Sequence, residues 1–336
     1  MAWTDHLTGD PLPWLLAADT PAVRAATLQR LCDRPNDDAE VAAARSAAMR
    51  AEPIRSILDA QAAEGWWIKP GGGYAPKYTG TVWELIFLDQ LGADPADAHI
   101  RRACDYVLCH TQASSGGFGA SGADGAPPPP SRVIHCLNGN LIRALIGFGC
   151  WGDPRLRASV DWAARAITGD DAGRYYQSGT SGPGFGCAAN DGNPCAWGAV
   201  KELLGLARVP PHERSDIVRR AIGQGVELLL SRDPVVADYP MLSRDTKPSG
   251  AWFKLGFPSG YVSDVLQNLE VLADLGHARD PRLANALSWV ESQQDRGRWT
   301  NRYAYNGKSL VKIEQQGQSS KWVTLRACSV LKAAWQ

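Results

Sequence analysis

The chain has 336 residues, with Lys+Arg 35 against Asp+Glu 35, and this zero net charge supplies no drive toward nucleic acid or an anionic membrane surface. A hydrophobic share of 44% is ample for a core, yet no run reaches the roughly 18 to 20 apolar residues of a membrane span. Eight irregularly spaced cysteines in a chain of this size fit reduced thiols in a cytoplasmic protein rather than a disulfide framework.

From the N-terminus, MAWTDHLTGDPLPWLLAADT lacks a basic n-region and carries acids within its apolar stretch, so it does not read as a secretory signal. PAVRAATLQRL follows as part of a helical unit over residues 1–50. Beyond it one phrase returns: an aromatic or small residue, leucines at helical spacing, then a Gly stop. It reads TVWELIFLDQLGADP from Thr81, CLNGNLIRALIGFGCWGDPR from Cys136, CAWGAVKELLGLARVPP from Cys195, YVSDVLQNLEVLADLGHARDPR from Tyr261 and SKWVTLRACSVLKAA from Ser320. Leu137, Leu141 and Leu145 fall on one helical stripe, as do Leu266, Leu269 and Leu272. Gly92, Gly149 and Gly276 stand where a helix C-cap belongs, with proline soon after to open the next helix. A second phrase closes several units with glutamine, glycine and an aromatic: Gln61, Gly65, Trp67; Gln112, Gly117, Phe118; Gln294, Gly297, Trp299. Strand signals are sparse. The reading is all-α, one domain over 1–336, with about five to six helix hairpins around a central apolar cleft.

This hairpin repeat of about 50 residues with its glutamine–aromatic phrase resembles the α/α toroid superfamily of squalene–hopene cyclases and protein prenyltransferase β subunits, over roughly residues 50 to 336. The resemblance implies a cavity at the inner-helix N-termini, here near Trp83, Cys136, Cys195, Tyr261 and Trp322. It carries over few reactive residues. Asp-x-Asp-Asp, Asp-Asp-x-x-Asp and an Asp-x-Cys pair with an inner-helix His are all missing; Asp37-Asp38 and Asp170-Asp171 are the nearest acids.

What the cleft offers instead is cysteine and histidine. His135-Cys136 opens one inner helix and Cys195 the next, after the Gly-rich GPGFGCAANDGNPC with Cys187; a helix N-terminus favours thiolate. If Cys136, Cys187 and Cys195 converge with His135, a tetrahedral zinc site is feasible; otherwise these cysteines are small buried hydrophobes. Cys32, Cys104, Cys109, Cys150 and Cys328 read as structural. Asp264, three residues after Tyr261, reads as a first-turn acid or as a general acid–base of raised pKa. His135, Cys136, Cys195, Tyr261 and Asp264 are thus the catalytic candidates. Asn138 (with Asn140 beside it), Trp83, Trp197, Trp252 and Trp322 are the substrate-lining ones, while Trp67, Trp289 and Trp299 read as structural. Residues 119–132 and 238–258, the latter with Arg244 and Lys247, read as lids.

The expectation is an enzyme acting on an apolar terpenoid or polycyclic small molecule, with zinc as the one cofactor considered. Two alternatives stand beside it: a non-catalytic binder of a prenyl or steroid-like ligand, and a carbohydrate-active barrel using Glu84 and Asp264 as its carboxylate pair.

Overall fold

The computed structural model describes residues 2–120, 126–170, 181–236, 249–305 and 307–336. Asp171, Arg244, Lys247 and parts of both expected lids (121–125 and 238–248) lie outside the described residues. The helices are α1 (Leu12–Leu15), α2 (Pro21–Arg30), α3 (Ala39–Met49), α4 (Ile54–Asp59), α5 (Thr81–Gln90), α6 (Ala98–His110), α7 (His135–Gly147), α8 (Pro154–Thr168), α9 (Ala196–Ala207), α10 (Asp216–Leu230), α11 (Val265–Asp274), α12 (Ala284–Ser292) and α13 (Lys321–Trp335). Among the described residues the strands form two small antiparallel sheets: β1 (Ser181–Gly182) with β2 (Gly186–Cys187), and β3 (Gln294–Asp295), β4 (Arg298–Thr300) and β5 (Ser319–Ser320) in that order.

Composition sorts the helices into two rings. On α5, α9 and α13 nearly every residue is buried, and α7 and α11 are buried over most of their length; a helix enclosed on all sides belongs to an interior. Around them α6, α8, α10 and α12 bury one stripe each. The inner helices pack in ring order, α5 on α7, α7 on α9, α9 on α11 and α11 on α13, with α2 against α13. Glycine permits the tightest of these contacts. A Cβ on Gly139 of α7 would stand 2.3 Å from the Lys201 carbonyl of α9, and one on Gly205 of α9 would stand 2.7 Å from the Gly139 carbonyl.

The repeated phrases act as joints. Gly92, Gly149 and Gly276 end inner hairpin arms with φ of +72°, +80° and +88°, the left-handed stop that glycine adopts without a Cβ clash. In each Asp-Pro-Arg the aspartate accepts from the arginine's backbone N–H (Asp153 from Arg155, 2.8 Å; Asp280 from Arg282, 2.9 Å), and that arginine's guanidinium returns to the same carboxylate at 2.7 Å. The glutamines bridge to the next unit: Gln61 donates to the His99 carbonyl at 3.0 Å, Gln112 to that of Arg155, and Gln294 to that of His6 at 2.9 Å. The last of these fastens the C-terminal repeat to the N-terminus and closes the ring.

The barrel axis at the inner-helix N-termini is full. Residues 255–264 run into it, and side chains from around the ring hold their backbone. Gln90 accepts from Ser259 N–H at 2.8 Å and donates to its carbonyl at 2.7 Å. Asn301 does the same for Phe257, at 3.2 and 2.8 Å. Asn140 donates to the Gly260 carbonyl, Arg326 to the Gly256 carbonyl and Lys201 to the Ser259 hydroxyl. Tyr74, Tyr78, Tyr305 and Trp83 pack around this plug. The expected open apolar cleft is therefore occupied by the chain itself.

Candidate functional site

Two groups of chemistry-bearing side chains stand out, at opposite ends of the barrel.

At the inner-helix N-termini the sequence candidates separate into two sets. His135, Cys136, Cys187 and Cys195 converge on one cavity of about 10 Å³, with Ser181, Phe185 and Gly198. His135 is buried with both ring nitrogens engaged: Nδ1 lies 3.0 Å from Glu202 Oε1 and Nε2 lies 3.1 Å from the Gly182 carbonyl. Glu202, which the sequence reading missed, is fully buried on α9 and also accepts from Asn138. Cys195 hydrogen-bonds to the Cys187 sulfur, and this bond with backbone N–H groups of Ala189 and Asn190 holds the Cys187 thiol down at about 6, against burial. The same bond and burial push Cys195 well up, and burial pushes Cys136 to about 12.

This cluster does not fit zinc. Among the described residues no group of three or more His, Cys, Asp or Glu side chains is placed to hold a metal ion. Both ring nitrogens of His135 are engaged, by Glu202 and by the Gly182 carbonyl, so the set offers no free nitrogen ligand.

The remaining candidates pack or clasp, and Trp322 also lines the larger cleft described below. Asp264 caps α11 through Gln267 N–H (2.8 Å) and anchors the plug through Gly256 N–H (2.9 Å), so both oxygens are committed locally. Burial nevertheless raises its pKa, partly offset by Arg326. Tyr261 meets Trp83 edge-on at 5.0 Å, and Trp322 stacks on Phe257 at 4.7 Å. Trp83 and Trp252 are fully buried, their indole N–H groups donating to the Tyr74 and Pro234 carbonyls. Asn138 accepts from Phe118 N–H rather than facing a cavity. Trp197 packs partly buried at the start of α9, its carbonyl accepting from Ser263. Glu84 is 1% exposed with neither oxygen hydrogen-bonded, and burial drives its carboxyl well up. Neither it nor Asp264 lines a described cavity, so they do not form the expected carboxylate pair.

The open space lies at the inner-helix C-termini. A cavity of about 550 Å³ is walled by α7, α9, α11 and α13, with Arg30, Arg143, Arg208, Glu270 and Asp274 on its lining. A cleft of about 820 Å³ between α2–α3 and the end of α5 shares Arg30 and Arg208 and adds Asp89. Arg143 pairs with Asp89 at 3.2 Å. Glu270 takes a two-pronged bond from Arg326, 2.9 Å from Nε and 2.6 Å from Nη2. Among the described residues Arg30 and Arg208 have no ion-pair partner.

Glu270 and Asp274 stand one turn apart on α11, and their surroundings drive them in opposite directions. Burial pushes Glu270 up, but Arg326, Arg143 and Arg30 outweigh it and leave the carboxyl below its ordinary value. Asp274 lines the cavity and is solvent-exposed; desolvation by the surrounding residues and the charge of Glu270 raise it against the arginines. Sequence reasoning overlooked this set, although its signal was available: Asp89, Arg143, Glu270 and Asp274 place charges on largely apolar inner helices.

No known family matches this chain, and no curated protein is similar to it in sequence. Among solved structures, an unsaturated glucuronyl hydrolase specific for heparin aligns over 94% of this chain and 85% of its own, at 11% identity and a TM-score of 0.50. A protein from Actinoplanes aligns over 86% and 99% at 14% identity and a TM-score of 0.31. A type II terpene cyclase from Scytonema aligns over 85% and 97% at 13% identity and a TM-score of 0.28. The first likeness, with the two rings described above, shows the fold: the chain is an α/α toroid. No described helix is long and apolar enough to cross a membrane.

Proposed function

We propose that this α/α toroid is an enzyme acting on an anionic, hydroxyl-rich small molecule of the uronate-sugar kind, bound in the cavity at the inner-helix C-termini. One observation carries the reading: Glu270 and Asp274, adjacent on one helix, are shifted in opposite directions beside the unpaired Arg30 and Arg208. Carboxyl groups whose environments push them apart divide into acid and base roles. In this division Asp274, its pKa raised, is the proton donor to a departing oxygen, and Glu270, its pKa lowered, is the neighbouring anion whose charge contributes to that rise. Arg30 and Arg208 bind the substrate anion, for which guanidinium geometry is suited. The volume is within the usual range for a small-molecule site. The glucuronyl hydrolase, by its description, acts on a molecule of this class, which is consistent with the reading.

The apolar-substrate reading needs residues 255–264 to leave the axis, breaking the bonds from Gln90, Asn140, Lys201, Asn301 and Arg326. Among the described residues the cavity at that end, lined by His135 and the cysteines, is about 10 Å³.

The test is turnover and binding on a panel of uronate oligosaccharides, unsaturated and saturated, beside neutral sugars. Asp274→Asn should abolish turnover while retaining binding, and Arg208→Ala should weaken binding of charged members only. Equal affinity for neutral and charged sugars, or full turnover by Asp274→Asn, would refute it. A hydrophobic molecule co-purifying with the protein, identified by mass spectrometry, would favour the apolar reading.

A further inference from the structure

The cluster at the other end has a second use, independent of the cavity. We infer that Cys187 and Cys195 form a thiol–disulfide exchange site, with Cys187 as the attacking thiol and Cys195 as the resolving one.

The hairpin that carries them sets the geometry. Gly186 pairs with Pro194 across antiparallel backbone. Cys187 N–H donates to the Asn193 carbonyl at 3.1 Å, and Cys195 N–H to the Phe185 carbonyl at 2.9 Å. Cys187 and Cys195 therefore flank the Gly186–Pro194 pair diagonally, on the same face, because side chains alternate along each arm. Both side chains line the same small cavity. The two differ in access: Cys187 is half-buried and Cys195 is buried. An attacking thiol must be reached from outside, while a resolving thiol needs only to reach its neighbour.

Local groups suit Cys187 to the first role. Its side chain stands at the start of the short turn Ala188–Asn190, whose backbone N–H groups favour the thiolate. The imidazole of His135, fixed by buried Glu202, lines the same small cavity. Cys136 shares that cavity but follows the first residue of α7, across from the hairpin, and is the third thiol against which the pairing can be checked.

The chemistry needs an external disulfide of low molecular weight, for which oxidised glutathione is the probe. The Cys187 thiolate attacks one of its sulfurs, forming a mixed disulfide and expelling one glutathione thiolate. Cys195 then gives up its proton to that thiolate and attacks Cys187 Sγ, expelling the second. The sum is two protein thiols and one disulfide converted to one protein disulfide and two free thiols. The product bond would tie the hairpin to the residue that opens α9.

The experiment treats the full chain with oxidised glutathione, blocks remaining thiols with an alkylating agent, and maps disulfides by peptide mass spectrometry. The expected product is a Cys187–Cys195 bond that dithiothreitol removes. Cys195→Ser should stop at a single glutathione on Cys187, and Cys187→Ser should form neither adduct nor bond. Alkylation of the reduced protein should modify Cys187 roughly tenfold faster than Cys195. A bond from Cys187 to Cys136, or glutathione on exposed Cys109 in preference to Cys187, overturns the assignment. The wild-type map decides the question even where a variant folds poorly, and helical circular dichroism identifies such a variant.

Discussion

Lys201→Met tests the account of the plugged axis most directly. Lys201 is fully buried, and its ammonium donates to Ser259 Oγ and Gln267 Oε1, each at 2.8 Å. Burial, with Arg143 and Arg326 nearby, pushes its pKa from 10.5 down to about 7, against Asp264. The folded protein thus holds the charged form at a cost, opposite in sense to a surface lysine with a carboxylate partner. That cost is fully present below about pH 7, where the residue is charged in both states. It falls as pH rises from 7 toward 10.5, because the unfolded chain then binds a proton that the folded chain does not. From about pH 6.5 to about pH 9 wild type should gain about 2.5 kcal/mol relative to Lys201→Met, a slope approaching about 1.4 kcal/mol per pH unit. Loss of the donor to Gln267 adds a pH-independent offset to the variant, which cancels in the slope. Urea denaturation of both proteins across this range, followed by tryptophan fluorescence, measures it. A wild-type-minus-variant difference that stays flat with pH would mean that Lys201 remains protonated and that burial does not dominate its site.

Gly139→Ala should cost about 3 kcal/mol or more, because the new methyl meets only backbone of α9 at 2.3 to 2.4 Å. Gly152→Ala, which meets nothing within 4 Å, should stay within about 0.5 kcal/mol in the same thermal scan. Asn301→Ala strips both backbone partners from Phe257 and should cost about 2 to 5 kcal/mol, with new protease cleavage within 255–264; an uncut loop would show that the clasp is dispensable. Elemental analysis of purified protein should find no stoichiometric zinc, whereas zinc lost on Cys195→Ser would restore the metal site read from the sequence.

Much of the architecture was legible because it rests on local rules. Leucine spacing marks the inner helices, and Gly92, Gly149 and Gly276 mark their stops. Gln61, Gln112 and Gln294 make the joints. His135, Cys136, Cys187 and Cys195, named together from the sequence, line one small cavity because they stand at the start of α7, in the β1–β2 hairpin and at the cap of α9. What local rules could not show was occupancy. Nothing in GFPSGYVSD distinguishes a surface loop from one drawn into the axis, because its partners Gln90, Asn140, Lys201, Asn301 and Arg326 are polar residues scattered over distant repeats. Trp83 and Trp252 are enclosed by packing, Trp322 lines the larger cleft, and of the two readings of Asp264 the structure shows the cap. The C-terminal cavity escaped notice for the same reason. Arg30, Arg143, Arg208 and Asp274 come together only when the ring closes.

The clasped loop also bears on how the chain is made. Its holders include Asn301 and Arg326, which follow it in the chain, and the three inner helices that precede it, α5, α7 and α9, are made with an unfilled, partly polar interior. Synthesis is slow compared with helix formation, and those early repeats must wait with Gln90, Asn140 and Lys201 unanswered until the loop arrives. A toroid built this way is assembled around its own tenant, and a nascent chain halted before residue 255 should be the species most in need of a chaperone.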